Sequence, residues 1–182
     1  MKPLDWMRYV APGLALAGVV APVYARTYLT LEAAQKLCFP DATEFVPADV
    51  TLTPQQMQAI HKDSGVDVRS AQEKVWKARA GDRFLGWFIE DEVVGKHEFI
   101  TWSLALDPTG GVLQVEILEY RETYGYQVND ETWRAQFHGV HHGAALKLDR
   151  DIKNISGATL SSRHIADGVR RLLSLHELVL KG

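Results

Sequence analysis

Phe99-Ile100-Thr101-Trp102-Ser103-Leu104-Ala105-Leu106, then Asp107-Pro108-Thr109-Gly110-Gly111, then Val112-Leu113-Gln114-Val115-Glu116-Ile117-Leu118-Glu119, is the stretch on which the fold turns. Along residues 97–106 two sets of side chains alternate: Phe99, Thr101, Ser103 and Ala105 against Ile100, Trp102, Leu104 and Leu106. A period of two belongs to a strand, because successive side chains point to opposite faces. The Asp-Pro-Thr-Gly-Gly segment is built from turn residues, and residues 112–119 read as the returning strand. Two strands joined so tightly pair antiparallel.

Working toward the N-terminus, residues 82–91 carry Phe84, Leu85, Trp87, Phe88 and Ile89 and read as another strand. Residues 73–79 alternate polar and apolar around Val75 and Trp76 and read as one more. Before them the chemistry changes to helix starts. Thr53-Pro54-Gln55-Gln56 has a Thr cap, Pro at the first helical position and Gln three residues after the cap. That spacing predicts a helix ending near Ser64-Gly65. A shorter helix is predicted over residues 31–38, capped by Thr30. Toward the C-terminus, Asn129-Asp130-Glu131 opens a helix carrying Trp133 and Phe137. Ser161 or Ser162 is the expected cap of the last helix, whose apolar face is Ile165, Val169, Leu172, Leu175 and Val179. The expected class is α+β, an antiparallel sheet with flanking helices.

The chain of 182 residues has room for one domain and an export segment, and for a core that needs no staples. A formal charge of −3 offers nothing to nucleic acid. The single cysteine, Cys38, rules out an internal disulfide, and the absence of C-x-x-C-H rules out c-type haem. Its neighbours Leu37 and Phe39 point to a buried, inert thiol. Residues 1–9 carry Lys2 and Arg8, Val10 to Ala25 carry no charge, and Val23-Tyr24-Ala25 places small residues where a signal peptidase reads. Residues 1–25 are therefore expected to be a secretory signal peptide or an N-terminal anchor, with the remainder across the inner membrane in the periplasm. The expected division is an N-terminal helical and strand extension over 26–81 and a second domain over 82–182.

The segment that carries chemistry is Ile155-Ser156-Gly157-Ala158-Thr159-Leu160-Ser161-Ser162. Small residues allow close approach of backbone to a ligand, and Gly157 permits backbone angles closed to other residues. Ser156, Thr159, Ser161 and Ser162 crowd four hydroxyls at the start of the last helix. Unpaired N–H groups and a partial positive charge there suit a phosphate. Ser and Thr also gather at helix caps that bind nothing. A second constellation, Glu116 to Gly125, begins as a strand and ends in a loop through Glu122-Thr123-Tyr124-Gly125.

Taken together, these elements resemble the FMN-binding domain family, which includes the flavin-bearing subunits of the sodium-translocating NADH:quinone reductase and of the Rnf complex. The matching pieces run in family order: Val94-Gly95-Lys96-His97, Gly111, Glu122-Thr123-x-Gly125, Trp133-x-x-Gln136-Phe137-x-Gly139 and Ser156-Gly157-Ala158-Thr159-x-Ser161. The resemblance covers roughly residues 82–175. It implies a periplasmic electron-transfer flavoprotein carrying FMN as a phosphodiester on Thr159, attached by a flavin transferase that uses FAD. Ser156, Gly157, Ala158, Leu160 and Ser161 would surround the phosphate and ribityl chain, and Glu122 and Thr123 would lie against the isoalloxazine. The partners implied are a redox donor and acceptor, such as a membrane electron-transport complex. The family usually places Asp six residues before the modified Thr; here Lys153 holds that position and Asp151 is the nearest acid.

A carboxylate such as Glu122 beside the ring is expected to lower its potential, and Tyr120, Tyr124 and Trp133 are candidate stacking residues. No general base, nucleophile pair or substrate pocket is legible, which favours electron transfer over turnover of a small substrate. Two alternatives stand beside this reading. His138, His141 and His142 have the i, i+3, i+4 spacing that binds a metal on a helix, although Gly139 and Gly143 oppose a helix there. The fold could equally serve as a cofactor-free sensor or assembly module. His61, His97, His164 and His176 are scattered and are expected at the surface or satisfied in the core; His176 lies near a helix C-terminus, where a cation is favoured.

Overall fold

The computed structural model describes residues 26–181, so the expected signal segment lies outside the described residues. Among those residues the strands are β1 (Arg26–Thr27), β2 (Glu44–Pro47), β3 (Val50–Thr51), β4 (Gln72–Ala80), β5 (Arg83–Val94), β6 (Phe99–Leu106) and β7 (Val112–Tyr120). Helices are α1 (Leu31–Cys38), α2 (Pro54–Ser64), the single turn α3 (Glu131–Arg134) and α4 (Thr159–Leu175). The sheet order is β1-β7-β6-β5-β4-β2, with β3 also paired to β4, and every pairing is antiparallel. The α+β expectation holds.

The alternation read along residues 99–106 sorts onto two faces. Ile100, Trp102, Leu104 and Leu106 join Trp87, Ile89, Val115 and Ile117 beneath α2 and α4. Ala105, Phe88, Ala78 and Leu118 pack on the opposite face against Ala34, Cys38 and Phe39 of α1 and its end. Both faces are covered, which explains why residues 84–89 read as a continuous apolar run. Gly168 of α4 lets the helix close onto the sheet, since a side chain there would lie 2.6 Å from the Trp102 ring. Cys38 is buried, and desolvation, with the Glu116 charge adding to it, pushes its thiol up to about 12.

Thr53 makes the full capping box with Gln56, its N–H reaching Gln56 Oε1 at 2.9 Å, and Gly65 ends α2 in a left-handed conformation. Thr53→Ala is expected to lower stability by about 1 kcal/mol, read from the urea midpoint. β2 and β3 were not legible in the sequence: they are two to four residues long, and β2 ends in Pro47 at the sheet edge. The expected boundary after residue 81 falls inside the β4–β5 hairpin, so one sheet runs across it.

One expectation needs correction. α4 begins at Thr159 with Ala158 as its cap residue, and no side chain caps it. Ser161 and Ser162 lie within its first turn and are buried, because that turn faces Tyr120 and the core. Of the two positions open to His176, the structure takes the core. His176 is 2% exposed against Gly110 and the Trp87 ring, and burial pushes its pKa down.

Candidate functional site

The start of α4 opens into a cleft of about 360 Å³. One wall is Gly157, Ala158, Thr159, Leu160 and Ser161; the other is Lys96 and His97, with Glu122, Thr123 and Tyr124. The two motifs, thirty-odd residues apart in sequence, therefore meet across one space. Of the expected site residues Ser156 alone does not line it, although it is exposed nearby.

Specific contacts explain why the motifs meet. Tyr120, at the end of β7, donates its hydroxyl to the Tyr124 carbonyl at 2.5 Å, and the Ser161 hydroxyl lies 3.1 Å from the Tyr120 hydroxyl oxygen. The Glu-Thr-x-Gly loop is thereby tied to the first turn of α4. Gly125 has φ +88°, and a Cβ there would sit 2.5 Å from the Tyr120 hydroxyl. Gly125→Ala is expected to cost about 1–3 kcal/mol. Gly81→Ala, at φ +58° with open space around it, should cost less in the same urea series.

The Trp-x-x-Gln element holds the other approach. Trp133 Nε1 donates to the Lys153 carbonyl at 2.7 Å, and Gln136 Oε1 accepts from the Lys153 N–H at 2.8 Å. The backbone leading into Ser156-Gly157-Ala158-Thr159 is clamped at its first residue. Asp151 is occupied elsewhere: it pairs with Arg150 and accepts from the Lys147 N–H, and those contacts hold its carboxyl down to about 2.

At the helix mouth, Thr159 is half-buried and Asn154 Nδ2 donates to its Oγ1 at 3.3 Å. Asn154 Oδ1 is buried with no partner, as is Ser162 Oγ. With no capping side chain, the leading N–H groups of α4 remain available to an anion. Leu160 and Tyr124 are 42% and 79% exposed apolar surfaces at the opening.

Tyr120 and Trp133 are core residues, buried and hydrogen-bonded inward, so Tyr124 is the aromatic candidate that reaches the cleft. Glu122 does not present a free carboxylate. Its Oε1 accepts from the backbone N–H of His97, in a short contact, and of Glu98 at 2.9 Å. Burial favours its neutral form, but these N–H groups and that of Lys96 overcome this and hold its pKa below the usual carboxylate value.

A larger cavity, about 400 Å³, lies between α4, β5 and the loop before β4. Its floor is the buried triad of Arg171 with Glu73 and Asp91, and none of the motif residues reach it. The hydroxyls and uncapped N–H groups at the head of α4 open into the smaller space and not into this one.

The three clustered histidines do not converge. His138 bonds the Leu113 carbonyl, His142 pairs with Asp63, and His141 lies beside Gly111. Among the described residues no group of three or more His, Cys, Asp or Glu is placed to hold a metal.

Residues 95–174 match the family model described as FMN-binding domain. The chain carries an FMN-binding domain. The matched segment starts in the β5–β6 turn and runs through α4, so both walls of the cleft belong to the FMN-binding domain, while α1, α2 and β2 to β4 lie before it. Among solved structures, NqrC of Shewanella oneidensis aligns with 72% of this chain and 65% of its own at 17% identity and a TM-score of 0.45. No curated protein matches the sequence.

The residues present fit the group that the family is named for. A cleft of this volume lies in the range of small-molecule sites, about 300–1,000 Å³. An uncapped helix start suits a phosphate, and the orphaned Asn154 Oδ1 beside Thr159 is an acceptor that a ribityl hydroxyl would satisfy.

Proposed function

We propose that this protein is an electron carrier that holds one FMN in the cleft at the head of α4, joined by a phosphodiester to Thr159. The observation that carries the reading is the uncapped start of α4: Thr159 and Ser161 open with it onto the same cleft as Glu122 and Thr123. Thr159, Ala158, Leu160, Ser161 and Gly157 surround the phosphate end, with Ser156 just outside. Thr123 and Tyr124 border the ring end, and Glu122 acts there through the turn that it braces. FMN supplies the redox chemistry when bound; the protein supplies position, shielding and charge.

Attachment uses FAD and a flavin transferase. The Thr159 oxygen forms a bond to the FMN phosphorus, the pyrophosphate P–O bond breaks, AMP leaves and the hydroxyl proton passes to solvent. Asn154 holds the Thr159 oxygen in place for that step. A covalent tether suits a periplasmic carrier, which would otherwise lose its cofactor by dilution. The partners are a redox donor and acceptor, with a membrane electron-transport complex as the expected class. Among the described residues no helix is long and apolar enough to cross a membrane.

The test is the visible spectrum of protein exported from a host that also produces a flavin transferase. Flavin absorbance that survives dialysis supports the reading. A colourless product that also fails to quench added FMN would overturn it in favour of a cofactor-free module, the reading to which Lys153 in place of the usual Asp lends support.

A further inference from the structure

The charged side chains that line the cleft, Lys96 and Glu122, stand on one wall, and one turn places both. Residues 95–98 join β5 to β6 and wrap around the Glu122 carboxylate, which accepts from successive backbone N–H groups. Gly95 makes this possible: a Cβ there would lie 2.7 Å from Glu122 Oε1 and 2.9 Å from its Cγ. Glu122 stays ionised, and its Oε1 is held against backbone dipoles of its own fold. What the turn presents to the cleft is Lys96, with His97 beside it. Among the described residues the ion-paired lysines are Lys74 and Lys181, with Glu90 and Glu177; Lys96 has no such partner.

If the phosphate is held at Thr159 to Ser161, the ring extends toward the opposite wall, where Lys96 stands. We propose that Lys96 sets the reduction potential of the flavin held in this cleft, its ammonium favouring the reduced form over the oxidised one. This inference rests on the proposed function. Uptake of two electrons and one proton leaves a neutral ring with a charge of −1, and a nearby cation stabilises that charge. Glu122 is then a positioning residue, holding the turn that carries Lys96. This reverses the expectation that Glu122 itself would depress the potential.

The experiment is a spectroelectrochemical titration of the flavin-loaded protein, with electrons supplied by an electrode. Lys96→Gln is expected to weaken binding of the reduced relative to the oxidised flavin by on the order of tenfold. That ratio converts to a downward shift of about 30 mV for a two-electron couple. Lys96→Arg should keep the parent potential, and the gap between Gln and parent should narrow at high salt, because the ammonium is exposed. A Lys96→Gln protein that binds flavin and titrates at the parent potential would overturn the inference while leaving the flavin reading intact. A parent protein that takes up no flavin overturns both.

Discussion

Thr159→Ala is expected to give an exported protein whose intact mass lacks one esterified FMN that the parent carries. Peptide mapping of the parent should place the increment on the peptide containing Thr159. The argument is chemical. Of the hydroxyls in this segment, Thr159 and Ser161 line the cleft, and the Ser161 oxygen is committed to Tyr120, whereas Thr159 Oγ1 meets only the Asn154 amide at 3.3 Å. The substitution should leave folding almost untouched, within about 0.5 kcal/mol, since the side chain is half-buried and its one contact is long. Ser156→Ala is the control: Ser156 lies outside the cleft lining and its variant should keep the increment. An unmodified parent, yellow but losing its colour on denaturation, would leave a non-covalent carrier. An increment retained in Thr159→Ala would move the attachment to another residue.

Arg171→Ala should produce the largest loss of stability. Arg171 is buried and bonds Glu73 at 2.6 Å and Asp91 at 2.8 Å, joining α4 to β4 and β5. Removing one member of a buried ion network leaves its partners desolvated and uncompensated, a cost of about 3–5 kcal/mol. Against a total of about 5–15 kcal/mol for a domain, the variant should be close to unfolding at room temperature. Its urea midpoint should recover on acidification. Burial already raises the Glu73 pKa, opposed by Arg171, and without the guanidinium it rises further. A carboxyl whose folded pKa lies above its unfolded value binds more protons in the native state. Its penalty is therefore present at neutral pH and relieved as pH falls through the raised value. A deficit that stays constant from pH 7 to pH 5 would show that the loss is packing of the Arg171 stem rather than unpaired charge.

The covered sheet also shows why some functional expectations could be read and others could not. Ser156-Gly157-Ala158-Thr159 and Glu122-Thr123-x-Gly125 are recognisable because local backbone demands fix their residue types: positive φ at Gly125 and Gly157, small side chains at a helix start. Their union in one cleft depends on Tyr120 reaching Ser161 across 41 positions, a contact with no local signature. The same holds for Trp133 and Gln136, whose spacing reads as one helical turn but whose work is to grip the backbone of Lys153. The partners of Glu122 were illegible for another reason: backbone N–H donors leave no pattern in the side-chain sequence, so its carboxylate read as free. Lys96 and His97 read in sequence only as part of a strand pair, and their position on the cleft wall gives them a role.

The sequence by itself determined strands β4 to β7, the hairpin at Asp107 to Gly111, the capping box at Thr53 and the apolar stripe of α4, because alternation, turn chemistry and capping act over a few residues. Tertiary structure alone decided that α4 starts uncapped at Thr159, that Ser161 and Ser162 turn inward, that His176 is buried, and that Lys96 stands across the cleft from the hydroxyls. Those outcomes depend on which distant surfaces compete for the same side chain, and burial and pairing between β5, β7 and α4 settle that competition.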